Sequence, residues 1–316
     1  MTVHCVTPNP AVDVTYRLDT VALHAVNRVG AVTRRPGGKG VNVARLLAAR
    51  GLDVAAYGFL GGATGHQLRE LLHELQPAVE QRWTDTGAGT RLTIAVVDDT
   101  DTTMFNEPGR AVSAQDWERL ASAVADGCRP GDVVTVSGSP PAGSDPARLG
   151  DLVEAARARG AVVVVDTSGP GLLAAAAAGA DVLKPNQHEL LEVTGAVDVR
   201  SGIAALLAAG AGAVVASLGA DGLILGTPDR TTTARLGREL RGNPTGAGDA
   251  LVAALAAGLA AGTGAAIAVR LAEALPSAVA WSAAAVLSPV AGEIDEAVAG
   301  RFVHDVTMED LSCSPL

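Results

Sequence analysis

The chain has 316 residues, 48% of them hydrophobic and only 3% aromatic, with a formal net charge of −10. That length supplies a full core, built from Ala, Val and Leu, and suits one large α/β domain or one domain with a small appendage. The negative charge argues against a general nucleic-acid or membrane-surface role.

Cys5, Cys128 and Cys313 are too few and too scattered for a disulfide framework or a metal cluster, and they point to thiols in a reducing compartment. The N-terminus shows no basic segment followed by an apolar one. The longest apolar run, residues 250–261, is too short and too Gly-interrupted to span a bilayer. The expectation is a soluble cytoplasmic protein.

In chain order, residues 3–7 read as a strand closed by Pro8-Asn9-Pro10, with Asp13 just beyond its end. Residues 12–35 carry short alternating patches and read as hairpin-like strands leaving the main body. Gly37-Gly38-Lys39-Gly40 makes a turn before a helix over 41–50, which Gly51 stops. Residues 53–59 form the next strand. Gly58, Gly61, Gly62 and Gly65 then suggest a flexible turn before a helix at 66–75. A strand at 91–97, a polar turn and residues 102–106 suggest a second hairpin. With 12–35 it would make a small β-sheet apart from the main layer.

From Ser113 onward helices and strands alternate. Helices are expected at 113–126, 147–159, 172–178 and 202–209, and strands at 132–137, 161–166, 181–184 and 213–218. The near-continuous valine runs mark strands buried on both faces, hence a parallel sheet under helices. After Asp249 the chain reads as mostly helical to Leu287, and from Thr307 as a loose tail.

The chemistry centres on Asn243-Pro244-Thr245-Gly246-Ala247-Gly248-Asp249. A turn with two glycines runs into an apolar helix, so backbone N–H groups and the positive end of the helix dipole meet at one point, a site for an anion. Asp249 in the same first turn can take a proton from an attacking hydroxyl. The plainer alternative is a glycine turn with an acidic first helical turn. Only Lys39 and Lys184 among the 24 basic residues are lysines. A compact ammonium on a flexible stem suits phosphate binding.

Lys39 does not belong to a Walker loop, which needs Gly-x-x-x-x-Gly-Lys-Ser/Thr. No Gly-x-Gly-x-x-Gly follows the first strand either, which disfavours a dinucleotide-binding dehydrogenase. Lys39 and Asn42 at a helix start again suit an anion. Arg91 opens a strand of the small sheet. Asn186 and Glu189 share a face at a helix start and fit either a hydrated Mg²⁺ or an ordinary N-cap. Ser217-Leu218-Gly219-Ala220-Asp221-Gly222 closes a buried strand as a nucleotide-phosphate loop or a simple hairpin turn would. No histidine falls in a metal-ligand or triad spacing, and His188 reads as a surface helix residue.

Six motifs then occur in order: Thr7-Pro8-Asn9-Pro10-Ala11-Val12-Asp13, Gly37-Gly38-Lys39-Gly40-Val41-Asn42-Val43-Ala44, Gly58-Phe59-Leu60-Gly61-Gly62, Lys184-Pro185-Asn186-Gln187-His188-Glu189-Leu190, Ser217-Leu218-Gly219 and Gly246-Ala247-Gly248-Asp249. Together they resemble the PfkB (ribokinase-like) carbohydrate kinases, most of all the 1-phosphofructokinase and tagatose-6-phosphate kinase branch. The resemblance implies a three-layer α/β/α domain over 1–316 with a mostly parallel sheet. It also implies a small β-sheet lid from about 12–35 and 90–107 that forms a homodimer contact.

It places the catalytic base at Asp249 and an anion hole at the amides of Gly246, Ala247 and Gly248. Acceptor binding falls on Asp13, Gly38, Lys39, Asn42 and Arg91, with Lys39 and Arg91 on the phosphate already carried by the sugar. ATP falls to Lys184, Asn186, Ser217, Gly219 and Gly222, and Mg²⁺ to Glu189 and Asn186 through water. The implied reaction is in-line transfer from ATP to a ketohexose monophosphate, fructose 1-phosphate first and tagatose 6-phosphate second. A non-catalytic sugar-phosphate sensor is the alternative from another class. Relatives that bind a monovalent cation often carry Asp six residues before the base, where this chain has Asn243. The branch's Thr-Arg-x-Asn is here Thr90-Arg91-Leu92-Thr93.

Overall fold

The run Val162–Asp166 is buried throughout and lies in the interior of the larger sheet, as an unbroken β-branched stretch requires. The structure is a computed structural model that describes residues 1–311 except 239, 263, 289 and 291, so Cys313 lies outside the described residues. The elements in order are β1 (Thr2–Thr7), β2 (Ala11–Arg17), β3 (Ala31–Gly37), α1 (Lys39–Ala48), β4 (Asp53–Leu60), α2 (Gly62–Leu75), β5 (Val79–Gln81), β6 (Thr84–Asp85), β7 (Arg91–Val97) and β8 (Thr102–Asn106). They continue as α3 (Ala114–Gly127), β9 (Val133–Ser137), α4 (Ala147–Ala158), β10 (Val162–Asp166), α5 (Pro170–Ala177), β11 (Val182–Leu183), α6 (Gln187–Thr194), α7 (Val199–Ala208) and β12 (Val214–Ser217). The last are β13 (Leu223–Gly226), β14 (Thr231–Leu236), α8 (Ala247–Ala261), α9 (Ile267–Val286), α10 (Glu296–His304) and β15 (Val306–Asp310).

The large sheet has the order β15-β14-β13-β12-β11-β10-β9-β1-β4-β5, with β6 also paired to β4. Pairing is parallel from β12 through to β5 and antiparallel from β12 to β15. Alternate strand residues face opposite layers. Val3, Cys5, Val133, Val164 and Val215 pack with α1, α8 and α9, while Val6, Val134, Val163, Val165 and Val214 pack with α3, α4, α5 and α7. The result is a mixed α/β, ribokinase-like fold with helices on both faces of the sheet.

A second sheet runs β3-β2-β7-β8. It matches the two expected strand pairs, joined through a parallel β2–β7 ladder. Val12 and Val14 bury one of its faces against Leu60 and Leu68.

Several expectations need correction. The tail expected from Thr307 is β15, which pairs antiparallel with β14 from Leu236↔Val306 to Thr232↔Asp310. A polar strand that gains its partners only at a sheet edge has no hydrophobic period to announce it. Gly62 and Gly65 lie inside α2 and form no flexible turn. Gly65 is there for close packing, since a Cβ would stand 2.9 Å from Thr90 Oγ1 and 3.2 Å from Leu60. β5, β6, β13 and β14 had no sequence counterpart among the expected strands.

Candidate active site

The parallel strands end on one edge of the large sheet. Thr7 ends β1, Ser137 ends β9, Asp166 ends β10, Ser217 ends β12, and Lys184 follows β11. Strand order reverses around β1, which has β9 on one side and β4 on the other. Open α/β sheets bind ligands in the crevice outside such a reversal.

The N-terminus of α8 comes to the same edge. Gly246 adopts a left-handed φ of 87°, which a side chain would resist, and so turns the chain into the helix. Gly248 leaves space for Lys184, because a Cβ there would stand 3.3 Å from the lysine Nζ. The N–H groups of Gly248 and Asp249 belong to the first turn, where no i−4 partner exists within a helix. The first such bond runs from Ala250 N to Gly246 O at 2.9 Å. The Ala247 N–H departs from expectation. It donates to the Pro244 carbonyl at 3.2 Å, so of the expected anion-hole amides this one is already engaged.

Asp249 is only 6% exposed. Asn42 Nδ2 donates to its Oδ2 at 2.8 Å. Burial pushes its pKa up to about 7; the Asn42 hydrogen bond opposes that, the charge of Asp166 adds to it, and Lys39 and Lys184 oppose it. A carboxylate poised near neutrality is well matched to take a proton from a hydroxyl.

Asp166 was not among the residues expected from the sequence, yet both lysines converge on it. Lys39 Nζ lies 3.4 Å from each of its carboxylate oxygens and Lys184 Nζ lies 3.2 Å from Oδ1. The available signal was a carboxylate closing a fully apolar strand at the ligand-binding edge, in a chain with only two lysines. Burial by itself would push the Lys39 ammonium down; Asp166, Asp249 and Glu189 together hold it above its ordinary value.

On the side of the small sheet, a cavity of about 410 Å³ is lined by Thr7, Asn9, Lys39, Arg91, Glu107 and Ser139, among others. Lys39 and Arg91 therefore face one space. The Arg91 guanidinium is anchored through Nε to Asn9 O at 3.2 Å and through Nη1 to Glu107 O at 3.0 Å. Asp13 lies against Gly37, where a Cβ would stand 2.1 Å from its Oδ2. Burial pushes the Asp13 carboxyl up to about 6, against the pull of Arg91, Thr93 and Arg45. Gly38 joins β3 to α1, and Asn42 sits one turn into that helix.

On the other side, a cavity of about 330 Å³ is lined by Ser217, Gly219, Gly222, Ala247 and Gly248, with an apolar wall of Leu223, Leu251, Val279 and Val286. Ser217 N donates to Pro185 O at 3.0 Å, and Ser217 bridges Asn186, which draws the Lys184-Pro185-Asn186 turn to this cavity. Asn186 and Glu189 form a reciprocal cap on α6. Asn186 Oδ1 accepts from Glu189 N at 2.8 Å, and Glu189 Oε2 accepts from Asn186 N at 2.9 Å. The capping alternative is thus realised, with the other Glu189 oxygen outside that pair of bonds. Among the described residues no group of three or more His, Cys, Asp or Glu side chains is placed to hold a metal ion. His188 is an exposed helix residue, as expected.

Cations and helix-start amides beside a near-neutral carboxylate meet what moving a phosphoryl group onto a hydroxyl demands. The chain is a phosphotransferase with an alcohol acceptor. It matches the pfkB family carbohydrate kinase model over residues 7–289 and belongs to that family. It is 38% identical over 261 residues to the 1-phosphofructokinase of Xanthomonas campestris, covering 79% of this chain and 81% of that one. It is 31% identical over 258 residues to the tagatose-6-phosphate kinase of Staphylococcus epidermidis, covering 79% and 82%. The fold matches the crystal structure of phosphofructokinase-2 from Escherichia coli in complex with fructose-6-phosphate, with a TM-score of 0.84, 28% identity, and coverage of 96% of this chain and 98% of that one. No helix among the described residues is long and apolar enough to cross a membrane.

Proposed function

We propose that the chain transfers the terminal phosphoryl group of ATP to the free primary hydroxyl of a ketohexose monophosphate, fructose 1-phosphate before tagatose 6-phosphate. The observation that carries this reading is that Lys39 and Arg91 face one cavity. Two cations exceed what a neutral sugar needs and suit a phosphate. The printed activities of the relatives, 1-phosphofructokinase and tagatose-6-phosphate kinase, support the same choice.

In this reading Asp13 and Asn42 meet sugar hydroxyls, while Gly38 lets α1 begin close to them. The acceptor oxygen forms a bond to the terminal phosphorus as the bond to the ADP oxygen breaks in line, and the hydroxyl proton passes to Asp249. The first-turn amides of α8, with Lys39 and Lys184, offset charge on the moving group. Asp166 holds the two ammonium groups in place. The nucleotide lies along Ser217, Gly219 and Gly222 with Lys184 and Asn186 at its phosphates.

Mg²⁺ fits this donor set through water, because that ion keeps several waters and needs only one or two carboxylates. Glu189 and Asn186 would hold it, and it would neutralise charge on the nucleotide phosphates. The four-stranded sheet acts as a lid that excludes water as a competing acceptor. Two copies meet through that lid as a homodimer, and residues 1–316 work as one kinase unit in the cytoplasm.

The test is ADP release from ATP and Mg²⁺ against fructose 1-phosphate, fructose 6-phosphate, tagatose 6-phosphate, free hexoses and ribose. A preference for one phosphorylated ketose supports the reading. Turnover with unphosphorylated sugars alone contradicts the phosphate clamp. Binding of a sugar phosphate without turnover returns the chain to a sensor role.

A further inference from the structure

Glu293, beyond the end of α9, meets arginines on the consecutive elements β3 and α1, 258 and 248 positions away in the chain. Its Oε1 accepts from Arg45 Nη2 on α1 at 3.0 Å and also from Arg35 Nη1 on β3. Arg45 is 5% exposed. Burial pushes its guanidinium down, and the charge of Glu293 opposes that shift. The neighbouring Gly292 has no room for a side chain: a Cβ would stand 2.8 Å from Asn42 Oδ1 and 2.9 Å from Arg45 Nη1. Asn42 and Arg45 lie three apart on one face of α1, and Asn42 holds Asp249. One short segment thus touches a strand of the small sheet, the helix behind it, and the amide bonded to the buried carboxylate.

We propose that Glu293 is a positioning residue that ties the small sheet to the Asn42–Asp249 pair, so that closure of the sheet over the acceptor cavity and alignment of Asp249 occur together. The inference rests on the proposed phosphotransfer role of Asp249. The exposure of the partners suits a latch. The Glu293 side chain is 45% exposed and that of Arg35 33%, whereas that of Arg45 is 6% exposed. The outer contact can open into water at little cost, as exposed ion pairs do, while the inner one keeps Glu293 on α1. Arg35 lies two residues before Gly37, against which Asp13 packs. Movement of β3 is therefore movement of the acceptor-side carboxylate as well.

The test compares Glu293→Ala and Arg35→Ala with the full-length wild-type chain. Both should raise the acceptor KM about tenfold, keep the nucleotide KM within about twofold, and raise ADP release without acceptor relative to coupled transfer, because water enters an open site. Amide hydrogen exchange should speed up in residues 31–37 and stay unchanged in the interior of α8. The double variant should be no worse than Glu293→Ala alone, since both changes remove one contact. Glu293→Gln, which keeps an accepting oxygen, should recover part of the loss. Wild-type acceptor KM and wild-type exchange at residues 31–37 in both single variants would overturn the proposal. So would a uniform rise in exchange, which would mean general loosening. If the wild-type chain transfers no phosphoryl group, the proposed function falls, and exchange at residues 31–37 alone decides whether Glu293 holds the sheet.

Discussion

Asn42 Nδ2 stands 2.8 Å from Asp249 Oδ2, a buried hydrogen bond between side chains 207 positions apart. It joins α1, the helix that follows strand β3 of the small sheet, to the helix that carries the carboxylate. Its donor favours the charged form and so restrains the rise in pKa that burial imposes. In Asn42→Ala the acid limb of the kcat/KM profile, expected near pH 7 in the wild type, should move to higher pH. Turnover at pH 7 should fall about tenfold, within the range for losing one hydrogen bond to a charged group. A pH–rate profile from pH 5.5 to 9, about the usable range for such a limb, checks this.

The same carboxylate makes stability depend on pH. Its folded pKa is raised to about 7 from an ordinary value of 3.8. Between those values the folded state keeps a proton that the unfolded state has released. Stability therefore falls as pH rises through that window and levels off above about 7, with a total change on the order of a few kcal/mol. Asp249→Asn removes this term. Melting curves should show the variant gaining on the wild type between about pH 4 and pH 7, a span of about three units within which the term acts, and no further gain above that.

Asp166→Asn should impair both lysines together. Lys184 is 3% exposed, so loss of its carboxylate partner leaves a buried ammonium poorly compensated. Breaking a buried pair in this way costs about 3–5 kcal/mol. The expected result is a lower melting temperature and a reduced kcat, and adding Lys39→Met to Asp166→Asn should cost less than Lys39→Met alone. Additive effects on kcat would show that Asp166 does not hold Lys39.

Arg91→Gln should raise the acceptor KM about tenfold to a hundredfold, the range for losing charge-assisted hydrogen bonds. The nucleotide KM should hold. Steady-state kinetics with each substrate varied in turn separates the two. An equal rise in both would place Arg91 in the framework alone, through its bonds to Asn9 O and Glu107 O.

Much of the large sheet was legible because its strands are buried on both faces and written in valine, as in Val162–Asp166. The small sheet showed through the short alternating patches of 12–35 and through the strand at 91–97 with its polar turn. The antiparallel edge was not legible: Thr231–Leu236 is threonine-rich and mostly polar, and Val306–Asp310 finds its partners only in the folded chain. At the site, Gly246, Gly248, Asp249 and Lys39 stood out by residue type and position. Asp166 and Glu293 did not, because each acquires meaning through side chains that only the fold brings to it: Lys39 stands 127 positions from Asp166, and Arg45 stands 248 from Glu293. The local pattern around Asn186 and Glu189 was readable as a cap, and a cap is what forms.

The most direct measurement is phosphoryl transfer from ATP to the preferred ketohexose monophosphate by the wild-type chain and by Asp249→Asn, with nucleotide affinity measured on both. Loss of a general base predicts a fall in kcat of about a hundredfold to ten-thousandfold with nucleotide binding retained. A variant that turns over within about tenfold of wild type, a difference of roughly 1.4 kcal/mol in barrier, would contradict the assignment of Asp249 as the base.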